Sequence, residues 1–197
     1  MDWPETAQAS LGNEYVLLRP LAPEDYPALL AIALDADVWR HFVVNITSEN
    51  DFATYFESSL AAQAAGERVV FTITDQASGQ VAGSMSYSNM VPAERRLEIG
   101  SSWLGAPFRG TGTNRWAKYL LLRNAFEGME AERVEFKTDV LNERARRGLR
   151  NIGAVEEGVL RSYNFMPGGR RRDAIYYSVL RAEWPDVKQR IQRGAAS

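Results

Sequence analysis

The chain has 197 residues, a formal net charge of −2 and no cysteine. A chain of this length buries enough surface to fold as one domain without a disulfide or a metal, and the lack of cysteine excludes thiolate metal sites and cysteine nucleophiles. A single histidine, His41, argues against a Ser-His-Asp site and a multi-histidine metal site. The short apolar runs and the acidic start predict neither a membrane span nor a signal peptide, and therefore a cytoplasmic protein.

The two halves of the chain differ in charge. Residues 1–90 contain 3 basic and 12 acidic residues, whereas residues 91–197 contain 20 basic and 13 acidic residues. The basic second half predicts an anionic ligand, the alternative being two solvated faces of opposite charge. Nucleic acid is not the expected ligand because the basic residues are not interleaved with stacking aromatics.

The apolar patterns predict helices that alternate with strands. Ser48 and Asp51 form a capping-box pattern at the start of a helix that ends at Gly66. Strands are predicted over 15–19, 68–74, 80–87, 96–104, 133–140, 155–161 and 174–180, and further helices over 23–34, 113–127, 142–152 and 184–193. This order predicts an α/β (α+β) sandwich around a mixed, mostly antiparallel sheet. No linker or repeat divides the chain, so a single domain is expected over 1–197, with its core at about 15–180 and a tail helix within 184–197.

A glycine-rich segment, Gly105–Asn114, lies between a predicted strand and the start of a predicted helix. Consecutive glycines let backbone N–H groups converge on an anion, and the helix dipole adds about half a positive charge there. The segment predicts a phosphate site, the alternative being a plain turn before a helix. A Walker loop is excluded because Thr111 stands where its lysine belongs. A dinucleotide fingerprint fits poorly because Arg115 stands where its third glycine belongs.

A third phosphate-binding pattern fits this segment better. Arg109-Gly110-Thr111-Gly112-Thr113-Asn114 resembles the pyrophosphate-binding signature of the GNAT superfamily of acetyl-CoA-dependent N-acetyltransferases, with Asn114 in place of the usual Gly or Ala. The likeness covers about 15–180 and is closest to the branch that contains the ribosomal-protein N-terminal acetyltransferases. Other segments that resemble the family are the strands 97–100 and 133–140, the helix start 142–145, its end 152–154, and 157–161.

The resemblance implies a three-layer α/β/α sandwich with a six- to seven-stranded sheet, and acetyl-CoA as co-substrate without a metal. In this family the strand before the loop separates from its neighbour, and its free backbone groups bind the pantetheine arm. Backbone N–H groups of the loop bind the pyrophosphate. An arginine of the helix predicted over 142–152, Arg147, is the candidate for the 3′-phosphate, the alternative being a solvated helix face. The residues implied as cofactor-binding are Ser102, Trp103, Leu104, Arg109, Gly110, Thr111, Gly112, Thr113, Asn114, Asn142 and Arg147.

The implied reaction is direct attack of an amine on the acetyl thioester, which needs a base and an acid. Glu98 is the candidate base if it is buried, the alternative being a strand carboxylate held in an ion pair. Asn142 is expected beside the thioester and is counted with the catalytic residues. The tyrosine and serine that serve as acids in the family are replaced by Leu149 and Ala145. The remaining candidate acids are Tyr163, Ser162 and Ser102, or solvent.

The predicted activity is therefore transfer of an acetyl group from acetyl-CoA to a primary amine, either a protein N-terminus or a small molecule. A homodimer is an expectation of the resemblance alone, and neither nucleic acid nor a membrane is an expected partner. Arg170–Arg172 are predicted to form a solvated hairpin tip, close to where the family sets acceptor specificity. Two other functions stay open: a non-catalytic acyl-CoA-binding module, favoured by the missing acids, and a nucleotide-dependent enzyme that uses the same loop.

Overall fold

The computed structural model describes residues 3–194, which form eight strands and seven α-helices. The strands are β1 (Leu11–Gly12), β2 (Val16–Pro20), β3 (Val69–Asp75), β4 (Val81–Val91), β5 (Arg96–Leu104), β6 (Arg133–Asp139), β7 (Val155–Phe165) and β8 (Arg171–Leu180). The helices are α1 (Trp3–Ala7), α2 (Tyr26–Ala33), α3 (Ala36–Trp39), α4 (Glu49–Ala64), α5 (Thr113–Arg123), α6 (Glu143–Ile152) and α7 (Trp184–Arg193). No helix among the described residues is long and apolar enough to cross a membrane.

All the strands belong to one sheet with the order β1-β2-β3-β4-β5-β6-β8-β7. Every neighbouring pair is antiparallel except β5 and β6, which are parallel. The predicted mixed, mostly antiparallel sheet is thus confirmed. It has eight strands instead of six or seven because the two-residue β1, too short to give an alternating pattern, pairs with β2 at the edge.

Helices cover the two faces of the sheet unequally. On one face, α1, α5, α6 and α7 pack over the whole width of the sheet, with buried residues such as Leu120, Leu149 and Trp184. On the other face, α2, α3 and α4 form a smaller cluster that meets the sheet at Val70 and Trp103. Within residues 3–194, this smaller layer includes no residue of β6, β8 or β7, so that their face has no helical cover there, and the candidate site lies on this face.

Most predicted boundaries are confirmed because their signals are local. Ser48 Oγ accepts a hydrogen bond from the Asp51 amide at 3.2 Å, and the Asp51 carboxylate accepts one from the Ser48 amide at 3.0 Å, which completes the predicted capping box of α4. The helix predicted over 113–127 differs, since α5 ends at Arg123 and a π-helical turn follows over Asn124–Gly128. At this change the hydroxyl of the buried Tyr87 donates to the carbonyl of Leu121 at 2.6 Å. Because this hydrogen bond comes from a residue of β4, no pattern within residues 113–127 predicts where the helix changes.

Candidate functional site

The site begins where β5 and β6 separate. Their ladder runs only from the Arg96–Arg133 pair to the Glu98–Glu135 pair. Ser101 then adopts a left-handed conformation (φ 48°), where the register of β5 against β4 also shifts. Beyond Glu98, the part of β5 that the structure describes has no ladder partner on its β6 side. The backbone of Ser102–Leu104 thus lies where the sequence predicts a free strand edge.

The last residues of β5 pair with β4 on its other edge. Trp103 and Leu104 pair with Ser84 and Gly83. A Cβ atom at Gly83 would lie 2.1 Å from the carbonyl oxygen of Trp103, so only glycine allows this approach. The Trp103 ring is 5% exposed and packs among α2, α3 and α4. Its side chain is therefore part of the core, and only its backbone is available to a ligand.

The glycine-rich loop presents free amides at the start of α5. Gly110 and Gly112 have φ values of 79° and 93°, the left-handed region that favours glycine. Within residues 3–194, the amides from Gly110 to Arg115 donate to no backbone carbonyl, and only that of Thr113 has a side-chain acceptor, Thr111 Oγ1 at 3.5 Å. The Arg109 side chain turns away from them, since its Nε donates to the Leu104 carbonyl at 3.0 Å and its guanidinium pairs with Asp35 at 2.8 Å. Free amides at a helix N-terminus suit a phosphate.

Lys118 adds a cation to this loop that the sequence analysis missed. Its side chain lies one turn into α5, is 8% exposed, and donates from Nζ to Asn114 Oδ1 at 2.6 Å. No carboxylate in the described part of the chain pairs with it. Burial lowers the pKa of Lys118 to about 8. The i, i+4 spacing of Asn114 and Lys118 was the available signal, and it accounts for an asparagine where the family signature has Gly or Ala.

The arginines of α6 divide into paired and unpaired ones. Arg146 pairs with Glu143 at 2.8 Å, and Arg150 lies 3.8 Å from the same carboxyl group. Arg147, the candidate for the 3′-phosphate, is exposed and makes no ion pair among the described residues. Asn142 caps α6 as predicted, its Oδ1 accepting from the Ala145 amide at 3.1 Å, which leaves its Nδ2 for another partner.

Glu98 lies where β5 and β6 separate, on the face without a helical cover. It is 6% exposed, and its Oε2 accepts from Asn89 Nδ2 at 2.8 Å and lies 3.4 Å from Lys137 Nζ. No hydrogen bond among residues 3–194 uses its Oε1. A Cβ atom at Gly100 would come within 3.0 Å of this oxygen. Glu98 therefore makes the ion pair that was the alternative to a role as base, through Oε2, and it still has Oε1 free to accept a proton.

Two tyrosines lie beside Lys137. Tyr176, opposite Lys137 in the β6–β8 ladder, donates to Tyr163 Oη at 3.2 Å. Lys137 Nζ is 5.2 Å from the centre of the Tyr163 ring and 5.8 Å from that of Tyr176. The hydrogen bond from Tyr176 and the charge of Lys137 hold the pKa of Tyr163 below its ordinary value, whereas burial raises the pKa of Tyr176. Tyr163 is thus the more acidic phenol of the pair.

The other candidate acids are engaged elsewhere. Ser162 Oγ accepts from Arg171 Nε at 2.8 Å, and Ser102 Oγ makes a long contact of 3.4 Å with the Gly100 carbonyl. Leu149, at the position of the usual tyrosine, is 4% exposed and belongs to the core. Of the three candidates, Tyr163 is the one that shares a cluster with Glu98.

A groove lies between the loop after α3 and the hairpin that joins β7 and β8. Its volume is about 380 Å³, and Trp39, Phe42, Met166 and Arg170 are among the lining residues. Arg170 pairs with the fully buried Asp139. The prediction of a solvated tip is wrong for Arg172, which is 7% exposed. Its position in the alternation of β8 places its side chain on the opposite face of the sheet from that of the exposed Arg171. Among residues 3–194, no cluster of His, Asp and Glu side chains suits a metal ion.

Comparison with known proteins agrees with this geometry. A family model described as an acetyltransferase (GNAT) domain matches residues 16–155. The chain is 29% identical over 182 residues to a protein of Bacillus subtilis (strain 168) named as a ribosomal N-acetyltransferase, YdaF, with 89% of this chain and 97% of that protein covered. It is 40% identical to a crystal structure from T. thermophilus described as an acetyltransferase, with a TM-score of 0.85 and 94% and 96% of the two chains covered.

A more distant structure shares the fold. RimJ from Mycobacterium smegmatis, in complex with CoA-disulfide, has a TM-score of 0.79 at 22% identity, with 96% of each chain covered. The Bacillus subtilis relative with a ribosomal name agrees with the branch that the sequence predicts. Since the family model spans most of the chain and the curated relative is similar over nearly its full length, the chain belongs to the GNAT family of acetyl-CoA-dependent N-acetyltransferases.

Proposed function

We propose that the protein transfers the acetyl group of acetyl-CoA to the α-amino group of a protein N-terminus, with the whole chain acting as one acetyltransferase domain. The observation that carries this proposal is Glu98, a buried carboxylate with one free oxygen at the point where β5 and β6 separate. The groove lined by Trp39, Phe42 and Met166 is open at the surface, as a peptide end requires. A relative named as a ribosomal N-acetyltransferase supports a protein acceptor over a small amine.

The residues around the β5–β6 separation fit acetyl-CoA. Unpaired backbone groups of β5 would bind the pantetheine arm, and the free amides from Gly110 to Arg115 would bind the pyrophosphate. Lys118 would add a positive charge at the same place. We keep Asn142 and Arg147 as ligands of the cofactor arm and the 3′-phosphate. Bound acetyl-CoA supplies the acetyl group as a thioester, whose carbon–sulfur bond breaks as the new amide bond forms.

Glu98 would remove a proton from the acceptor ammonium. Its Oε1 is the free oxygen, while Asn89 and Lys137 hold Oε2 and so fix the carboxyl plane. A carboxylate fixed in this way accepts the proton without reorganising, directly or through one water. The deprotonated amine then has the lone pair that attack on the acetyl carbon requires.

Tyr163 would return a proton to the sulfur that leaves. Its phenol is near Lys137, which is itself within 3.4 Å of Glu98, and its pKa is lowered by the hydrogen bond from Tyr176. A lowered pKa makes the phenol a better proton donor to a thiolate, whose conjugate acid has a pKa of about 8.5. Tyr163 thus takes the place of the tyrosine that Leu149 replaces.

The test has a binding arm and a turnover arm. Acetyl-CoA and CoA, but neither ATP nor NAD, are expected to raise the melting temperature, since ligand at a hundred times its Kd adds about 2.7 kcal/mol. Mass spectrometry of peptides incubated with enzyme and acetyl-CoA is then expected to locate the acetyl group on the N-terminal nitrogen. Glu98→Gln should lower kcat and flatten its rise with pH, with the Kd of CoA unchanged.

Each arm has an outcome that contradicts the proposal. Stabilisation by CoA without acetylation of any amine would favour the non-catalytic module, and stabilisation by ATP or NAD alone would favour a nucleotide enzyme. Acetylation confined to small amines would reject the protein acceptor. A wild-type pH–rate profile in Glu98→Gln would remove Glu98 from the chemistry. Glu135→Gln is the matched control, because Glu135 lies opposite Glu98 in the ladder but pairs with Arg133 at 2.8 Å.

A further inference from the structure

Arg172 is a buried cation on the sheet face that carries the candidate site. It lies near the start of β8, opposite Asn164 of β7, and is 7% exposed. Its neighbour Arg171 points to the other side, where its guanidinium lies over the Phe165 ring at 4.4 Å and contacts Ser162. The alternation of β8 therefore separates a solvated arginine from a buried one.

The Arg172 guanidinium has no partner within residues 3–194. Its buried Nε makes no hydrogen bond, and none of the ion pairs there includes it. Burial lowers the pKa of Arg172 in spite of the opposing charges of Asp139 and Glu98. A guanidinium removed from water without an acceptor costs several kcal/mol, which is an unusual arrangement for a side chain with no further role.

The carboxylates nearest to Arg172 are already paired with other cations. Asp139 pairs with Arg170 and accepts from the Leu141 amide at 3.0 Å. Glu98 is held by Asn89 and lies 3.4 Å from Lys137. With these pairs made, the positive charge of Arg172 is left over in the cluster.

This spare charge lies on the same sheet face as the groups around Glu98. Tyr176 is four residues along β8 on the same face, and it lies opposite Lys137, the partner of Glu98. The same groups, Glu98, Tyr163 and Tyr176, act on the charge of Arg172. A ligand that reaches Glu98 with its amine can therefore place a second group at Arg172.

We propose that Arg172 binds a carboxylate of the acceptor, so that the enzyme prefers amines that carry a negative charge close to the amino group. This inference rests on the proposed acetyl transfer and names its substrate class. A carboxylate matches the two-pronged guanidinium and neutralises it in a place with little water. An acidic side chain near a protein N-terminus and the carboxylate of a free amino acid offer the same chemistry.

The experiment compares acceptors that differ only in this charge. The amidated peptides SEAA and SQAA represent a protein N-terminus, and alanine and alaninamide represent a small amine. We expect a preference of about 10- to 100-fold in kcat/KM for the charged member of a pair. Preference within the peptide pair alone assigns the carboxylate to a protein, and preference within the small pair alone assigns it to a metabolite; either supports the subsite.

Variants of two neighbouring arginines test whether Arg172 causes the preference for the charged acceptor. Arg172→Gln is expected to abolish it while turnover of SQAA is kept, and Arg172→Lys is expected to keep part of it. Arg171→Gln is the matched control, since it removes one charge from the same strand on the opposite face and should leave the preference intact. Binding of both peptides to the CoA-loaded protein, measured by calorimetry, gives a readout that does not depend on turnover.

Three results would overturn the proposal. Equal kcat/KM and equal affinity within both acceptor pairs would show that the protein binds no carboxylate of the acceptor. A higher Kd for CoA in Arg172→Gln with an unchanged peptide preference would assign Arg172 to the cofactor. A lower melting temperature of Arg172→Gln, together with loss of binding of both SEAA and SQAA, would show that Arg172 stabilises the fold and has no role in acceptor binding. Failure of acetyl transfer is separate from these results, because carboxylate-dependent peptide binding would persist without it.

Discussion

Replacing Lys118 by methionine is expected to stabilise the protein at neutral pH and to weaken its binding of CoA. Lys118 is 8% exposed, and its only hydrogen bond among the described residues is to Asn114. Methionine fills similar space with a flexible, apolar side chain. The substitution therefore removes a buried charge without opening a large cavity.

The size of the effect comes from the pKa of Lys118. Burial lowers this pKa from 10.5 to about 8, and each pH unit corresponds to about 1.4 kcal/mol. The buried ammonium thus costs the folded state about 3 kcal/mol at pH 7. Loss of the hydrogen bond to Asn114 offsets about 1 kcal/mol of this, so a net gain of about 2 kcal/mol in the free energy of unfolding is expected.

The sign of the pH dependence follows from proton linkage. Between about pH 8 and 10.5 the unfolded chain keeps the proton on Lys118 while the folded protein loses it, so wild-type stability rises with pH in this window. Below pH 8 both states are protonated and the full cost is present. The advantage of Lys118→Met is therefore constant up to about pH 8 and shrinks by about 2 kcal/mol between pH 8 and 9.5.

Urea unfolding of both proteins from pH 6 to 9.5 measures this difference. Lys188→Met is the control, because Lys188 is half-buried on α7, pairs with Glu127 at 2.8 Å, and should give no gain at any pH. The Kd of CoA should rise about tenfold in Lys118→Met, the loss of one charged contact. A variant no more stable than wild type at pH 7, or a difference independent of pH, would refute the assignment of a buried, unpaired ammonium.

Two further substitutions test the loop and the acid. Gly112→Glu should abolish CoA binding, because φ 93° strains any side chain and the added carboxylate would compete with the pyrophosphate for the loop amides. Gly66→Glu, at φ 72° in the turn between α4 and β3, should bind CoA normally, and normal affinity in Gly112→Glu would reject the loop as the phosphate site. Tyr163→Phe should lower kcat about 10²-fold at constant KM for acetyl-CoA. Tyr176→Phe should instead move the alkaline limb of the pH–rate profile upward, since loss of the donated hydrogen bond raises the pKa of Tyr163; an unchanged kcat in Tyr163→Phe would favour solvent as the acid.

The features that the sequence predicted are those with a local signal. The capping box at Ser48, the alternating strand β6, the cap at Asn142 and the helix from Trp184 to Arg193 are each written in adjacent residues. The glycine-rich loop was recognisable for the same reason, since its spacing and its place before a helix define it. The sequence also predicted Glu98 as the base if it is buried; the burial and an ion pair with Lys137 are present, and the role as base stays a prediction.

The features that the sequence missed depend on register between distant strands. Tyr163 meets Tyr176 only because β7 is irregular between Leu160 and Asn164, which shifts its pairing with β8. The burial of Arg172 depends on which of three consecutive arginines points into the sheet face, and a one-residue change of register would have buried Arg171. No pattern within a single segment contains this information, so the acceptor side of the site could not be assembled from the sequence.

Among the described residues, buried acidic side chains have an ion-pair partner, whereas buried basic side chains have none. The carboxylates that are at least nine-tenths buried each have a cation: Asp25 pairs with Arg19, Glu98 with Lys137, and Asp139 with Arg170. The cations buried to the same degree, Lys118 and Arg172, have no carboxylate partner among residues 3–194. A fold loses stability by burying an unpaired cation, whereas an enzyme that binds two anions gains preformed contacts from it. Lys118 lies at the loop that we assign to the cofactor phosphates, and Arg172 lies on the sheet face that carries Glu98. If this division has the cause we propose, Lys118→Met and Arg172→Gln will each raise stability, and each will weaken the binding of a different ligand.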